Sequence, residues 1–167
     1  MIDPVLMFVF PAAMALAACC DFFTMTIPNR LNLVFAALFF PAAFYIGLPF
    51  DQMALHVSAG AVMLMVGFSM FAFGWIGGGD AKFFAAVALW LGWGALAEYT
   101  IYVALFGGAL TLFILFARRV PLPALLGRQE WAVRLHHYQS GIPYGIALAG
   151  AGLVIYPHTL WYKAFIF

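Results

Sequence analysis

The chain has 167 residues, of which 67% are hydrophobic and 8% charged; its formal net charge is +1 and its mean hydropathy +1.06. A soluble domain runs about 45–50% apolar and about 25% charged, and a fold of this size lacks the interior to hide so much apolar surface. These values exclude a soluble enzyme, a disordered chain and a secreted disulfide scaffold, and they exclude nucleic acid as a partner, which needs a dense basic patch.

Long unbroken apolar runs read as membrane helices, whereas strands of a membrane barrel alternate with period two. The expected fold is therefore all-α: a polytopic integral membrane protein with the lipid bilayer as its solvent. In chain order the apolar segments are Pro4–Cys20, Leu31–Leu48, Met53–Phe73, Phe83–Trp93, Tyr99–Ala117 and Ile142–Tyr156. A span needs about 17–25 residues at 1.5 Å per residue. The fourth segment reaches that length only if it runs from near Asp80 to about Glu98. The first segment has Asp3 and no basic residue before it, unlike a signal peptide. Pro11 lies within it and is a candidate kink.

With six spans, Arg30, Lys82, Arg118, Arg119, Arg128 and Arg134 all fall on one side, and Lys163 alone falls on the other. Basic residues stay in the cytoplasm. That side is therefore cytoplasmic and both termini lie outside. The chain reads as a single membrane-embedded domain over 1–167. Its largest polar segment, 118–141, is expected to lie at the cytoplasmic interface, with Trp131, Leu135 and Tyr138 on one face of a short helix. A lid or substrate-docking element is the sharper reading of this loop. Cys19 and Cys20 are adjacent and form no C-x-x-C pair, and no metal site is expected.

The acids carry the chemistry. Asp3, Asp51, Glu98 and Glu130 fall outside the spans or at their outer ends. Asp21 closes the first span, and Asp80 opens the fourth directly after Gly77-Gly78-Gly79. Both fall at the cytoplasmic end of a helix, at similar depth, where an ionisable group is costly and so suggests function. Two carboxylates that meet in a low-dielectric site cannot both ionise easily. They share one proton, and the pair can activate water while polarising a carbonyl. Against this stands the ordinary use of an Asp as a helix cap or headgroup contact. The three glycines favour the functional reading, since they allow positive φ and close backbone approach.

These residues resemble a known family. Asp21 followed by five spacers and Ile27-Pro28-Asn29 is similar to the first motif of the type IV prepilin peptidases. Gly77-Gly78-Gly79-Asp80-Ala81-Lys82 resembles the second, the G-x-G-D signature with its following Lys. Gly141-Ile142-Pro143-Tyr144-Gly145 resembles the start of that family's last span. The resemblance implies a membrane aspartic endopeptidase that removes the basic leader of prepilins or pseudopilins at the inner-membrane face, on the cytoplasmic side of the substrate's apolar helix. Asp21 and Asp80 would be the catalytic pair. Gly77, Gly78, Gly79, Ile27, Pro28 and Asn29 would shape the site, and Lys82 would anchor at the interface or orient the site. The glycine loop would expose backbone groups to an extended substrate, as in strand addition.

Bifunctional members of the family carry a cytoplasmic insert with two C-x-x-C pairs. Here only the short stretch Asp21–Arg30 joins spans one and two. The resemblance is thus to a minimal form, similar to the peptidases of tight-adherence (Flp) pili. It implies no methyltransferase activity and no cofactor. The alternative reading is a small transporter or channel with Asp21 and Asp80 as polar pathway residues. The presenilin-like G-x-G-D class is a poorer match, since the chain has no Tyr-Asp pair.

Overall fold

The computed structural model describes residues 4–166. It is 81% helix, with no strand among the described residues. Its helices are α1 (Pro4–Thr24), α2 (Asn29–Tyr45), α3 (Phe50–Ala72), α4 (Gly78–Ala117), α5 (Glu130–His136), α6 (Tyr144–Ile155) and α7 (Leu160–Ile166). Leu6–Thr24, Phe50–Ala72 and Gly78–Ala117 are each long and apolar enough to cross a membrane. Asp3, expected beyond the first span, lies outside the described residues. Both α1 and α2 run unbroken through an internal proline, Pro11 and Pro41.

The expectation for the fourth span needs correction. It was to run to about Glu98, but α4 breaks at Gly92, with φ 63° and ψ −178°. That backbone region is open essentially to glycine alone. Beyond the break the chain turns back: the rings of Phe84 and Tyr99 stack at 5.3 Å. In a continuous helix, fifteen residues would separate them by about 22 Å. α4 is therefore two limbs, 78–91 and 93–117, and Glu98 belongs to the second.

The break is satisfied by partners from distant elements. Leu89 O accepts from His56 Nδ1 at 2.9 Å, and Trp90 O accepts from Trp161 Nε1. A Cβ at Gly92 would lie 2.8 Å from the His56 ring. We predict that Gly92→Ala destabilises the fold, by about 1–3 kcal/mol from backbone strain and by a similar overpacking term. Thermal unfolding of the detergent-solubilised protein checks this; an unchanged midpoint would contradict it.

Small residues set how the helices meet. Gly60 faces Leu89 and Gly67 faces Ala81, so α3 runs antiparallel to the first limb of α4 at close range. Gly152 faces Met14 and Gly145 faces Asp21, so α6 runs antiparallel to α1. An aromatic core fills the space between α1, α2, α4 and α7. Phe35 stacks on Trp90 at 5.2 Å, Trp90 meets Trp161 at 4.7 Å, and Phe10 stacks on Tyr156 at 5.0 Å. The sequence reading contained no α7, yet it supplies the fully buried Trp161.

Candidate active site

α1 ends one turn past Asp21. Met25 takes φ 56°, and its N–H donates to Asp21 O at 2.8 Å. A non-glycine residue in this left-handed region costs about 1–2 kcal/mol, and here it turns the chain sharply toward α2. Pro28 then precedes α2 in an extended conformation, φ −62° and ψ 138°. The intervening Ile27 is buried. The Ile-Pro-Asn stretch is thus a short, stiff link between two helices.

Asp21 is only 3% exposed, and its Oδ2 accepts the backbone N–H of Gly145 at 2.6 Å. Gly145 lies in the first turn of α6, where N–H groups lack intrahelical acceptors. Asp21 therefore faces the positive end of α6. Ile27 wedges between two helix starts. A Cβ at Gly145 would lie 2.8 Å from Ile27 Cδ1, and one at Gly79 would lie 3.1 Å from Ile27 O. The beginnings of α4 and α6 thus converge on one residue next to Asp21.

Asp80 stands in the first turn of α4. It lines an open cleft of about 250 Å³, together with Met25, Thr26, Asn29 and the glycines Gly77, Gly78 and Gly79. On its other side it borders an apolar cavity of about 270 Å³ that includes Phe84, Tyr144 and Leu148. Ile27 joins the surroundings of the two carboxylates: its side chain meets Gly145 beside Asp21, and its backbone meets Gly79, the residue before Asp80. The chain thus brings together the pair expected at two helix ends.

The glycines meet one half of the expectation, close approach, and not the other, positive φ. None of the three takes a positive φ; among the described residues the glycines that do are Gly47, Gly74 and Gly92. Gly77 is extended, with φ −70° and ψ 145°, while Gly78 and Gly79 are already helical. What they supply is close approach. Gly79 admits the Ile27 backbone, Gly78 lies against the Phe71 ring, and a Cβ on Gly77 would sit 3.1 Å from Asp80 Oδ2. Only Gly77 retains the extended backbone that strand addition requires.

Lys82 Nζ donates to Asn29 Oδ1 at 2.8 Å, linking the two motifs on the exposed rim. An exposed hydrogen bond of this kind is worth on the order of 1 kcal/mol. Lys82→Ala is therefore predicted to leave the rate of the reaction at this site within about fivefold of wild type, measured as initial rate. A thousandfold loss would instead make Lys82 part of the chemistry.

Four residues that hold the site together, Gly145, Asn32, Arg134 and Arg118, carry no site role in the sequence analysis. Gly145 stood inside a quoted motif, but nothing local linked it to Asp21. Asn32 donates through Nδ2 to Gly79 O at 3.2 Å, and its signal was a polar residue at the head of an apolar span. Arg134 Nη1 donates to Phe23 O at 2.9 Å, and Phe22 meets Trp131 at 5.0 Å. These contacts dock α5 on the end of α1. Arg118 ties the same loop down through the carbonyls of Leu135, Ser140 and Gly141. Of the face expected on this short helix, Tyr138 lies past its end and is exposed. No group of three or more His, Cys, Asp or Glu side chains gathers among the described residues.

Two comparisons bear on identity. Over 122 residues the chain is 36% identical to a "Prepilin leader peptidase/N-methyltransferase" of Bacillus subtilis, covering 69% of this chain and 48% of that protein. The chain thus spans about half the length of this relative. No solved structure matches it. The profile of the type IV leader peptidase family matches residues 8–115, which take in α1, the Ile-Pro-Asn link, the glycine loop and both limbs of α4. The chain belongs to the type IV leader peptidase family.

Proposed function

We propose that this chain is a membrane aspartic endopeptidase that cuts the basic leader from prepilin-like proteins, with Asp21 and Asp80 as the water-activating pair. The observation that carries the reading is the convergence of three helix ends. Asp21 on α1 is held by Gly145 of α6, Ile27 packs against Gly79, and Asp80 follows in the next position. In the reaction one carboxylate takes a proton from water, and the hydroxide attacks the scissile carbonyl. The other carboxyl gives its proton to the carbonyl oxygen. The first carboxyl then gives the proton it took from water to the leaving nitrogen, while the second takes one back from the gem-diol. Collapse releases the leader's new carboxyl end and the new N-terminal amine, and it restores the starting protonation of the pair.

The membrane reading is six spans: α1, α2, α3, the two limbs of α4, and α6, of which the first limb of α4 and the 12-residue α6 are shorter than a full crossing. The fold-back at Gly92 supports counting α4 twice. Arg30 near the start of α2, Lys82 near the start of α4 and the Arg118–Arg134 loop accompany the acids. Basic residues at that end favour a site facing the cytoplasm, with both termini across the inner membrane. We read 1–167 as one peptidase domain and 118–141 as its interfacial loop. The docking of α5 on α1 beside Asp21 favours a role for that loop at the site.

The minimal form favours Flp-type prepilins as substrates and leader cleavage without N-methylation. The support is the four-residue link 25–28 between α1 and α2, where the bifunctional enzymes carry an insert. A conduction role for the acids has no support in the family match. The test is co-expression with an Flp-type prepilin in a host lacking other prepilin peptidases. Intact mass of the pilin reads both activities. A pilin shortened by its leader and carrying no added methyl group is the expected product. An uncut pilin refutes the peptidase reading, and a methylated one refutes the minimal-form reading.

A further inference from the structure

α2 and α3 each pack on the first limb of α4 but scarcely touch each other. Between them lies a groove of about 530 Å³. Leu33 and Ala36 of α2, Gly60 and Ala61 of α3, and Ala85 and Ala86 of α4 line it. On α2 it extends from Asn29 to Phe40, about 16 Å or three helical turns. Small residues along such a floor let the backbone of another helix come close.

One end of the groove is polar. Asn29, Asn32 and Lys82 line it there, and Asn29 also lines the cleft that holds Asp80. The groove and the cleft therefore adjoin at Asn29. Asn32 is 5% exposed, and its Oδ1 has no hydrogen-bond partner among the described residues. Leaving a buried acceptor unpaired costs about 1–3 kcal/mol. A lipid tail has no donor to offer it. A peptide N–H freed where a helix unwinds is such a donor.

We infer that this groove docks the apolar membrane helix of the substrate, with the helix end unwinding at Asn32 and the chain passing over Asn29 to Asp80. The inference rests on the peptidase reading and adds where the substrate lies. A helix held there presents its cytoplasmic end, where its leader begins, to the acids.

Photocrosslinking and kinetics test it together. Benzoylphenylalanine at Ala61 or Leu33 is expected to crosslink uncut prepilin in membranes. The same probe at Leu112, 71% exposed on the second limb of α4, is expected to give none. Ala61→Trp and Ala36→Phe, which fill the groove from opposite walls, are each expected to raise KM for the prepilin at least tenfold. Their kcat stays within twofold and their melting temperature stays at the wild-type value. Crosslinks to lipid alone, equal labelling from Leu112, or an unchanged KM in both variants would overturn the docking site. A wild-type chain that cuts no prepilin removes the peptidase reading itself, and the docking site with it.

Discussion

Asp21→Asn and Asp80→Asn are each expected to abolish leader cleavage while the protein still accumulates in the membrane. An amide can neither take a proton from water nor hand one to the carbonyl, so each variant loses acid–base catalysis worth about 10²–10⁴-fold. The pair works as a unit, so the double variant is expected to be no worse than either single one. The controls are membrane yield and thermal midpoint. Asp21→Asn retains an oxygen that can accept from Gly145 N–H, so its fold is expected to survive. Detectable cleavage by either variant near the wild-type rate would end the two-carboxylate mechanism. A loss of activity that tracked a loss of folded protein would reduce Asp21 to a cap on α6.

Gly145→Ala carries the second large effect, and it separates placement from chemistry. The added Cβ would lie 2.8 Å from Asp21 Oδ2, 2.9 Å from Asp21 Cβ and 2.8 Å from Ile27 Cδ1. Both acids and the Gly145 N–H remain, yet the carboxylate has to move aside. Misplacement of a reacting group by about 1 Å can cost about 10²-fold in rate. Overpacking at one methyl costs about 1–3 kcal/mol in stability. The expected result is a kcat lowered about a hundredfold, with KM for the prepilin little changed. Wild-type kcat in Gly145→Ala would show that the contact between α6 and Asp21 has no part in positioning the acid.

The positions of the acids were legible because charge is expelled from apolar spans. Asp21 and Asp80 could stand only at helix ends, and their motifs named the family they belong to. The break in α4 was not legible at its true place. Gly92 is one of 16 glycines, and although the apolar segment Phe83–Trp93 ends beside it, the length a span needs carried the expected end on to about Glu98. What makes it the turning point is His56 and Trp161, from α3 and α7, which take the carbonyls freed there. The glycines before Asp80 supply the close backbone approach expected of them, to Ile27 and Phe71, but without the positive φ, because Gly78 and Gly79 already belong to a helix.

The sequence by itself determined the solvent of this protein, its all-helical class and the two acids worth watching, each at the end of a helix. Those follow from transfer energies and from periodicity, which are summed along the chain and need no partner. Only the tertiary structure decided which ends meet. Gly145 reaches Asp21 because α6 lies antiparallel to α1 in a register that also brings Gly152 to Met14. That register comes from the fit of small residues against large ones on separate helices, and no local signal in either helix encodes it.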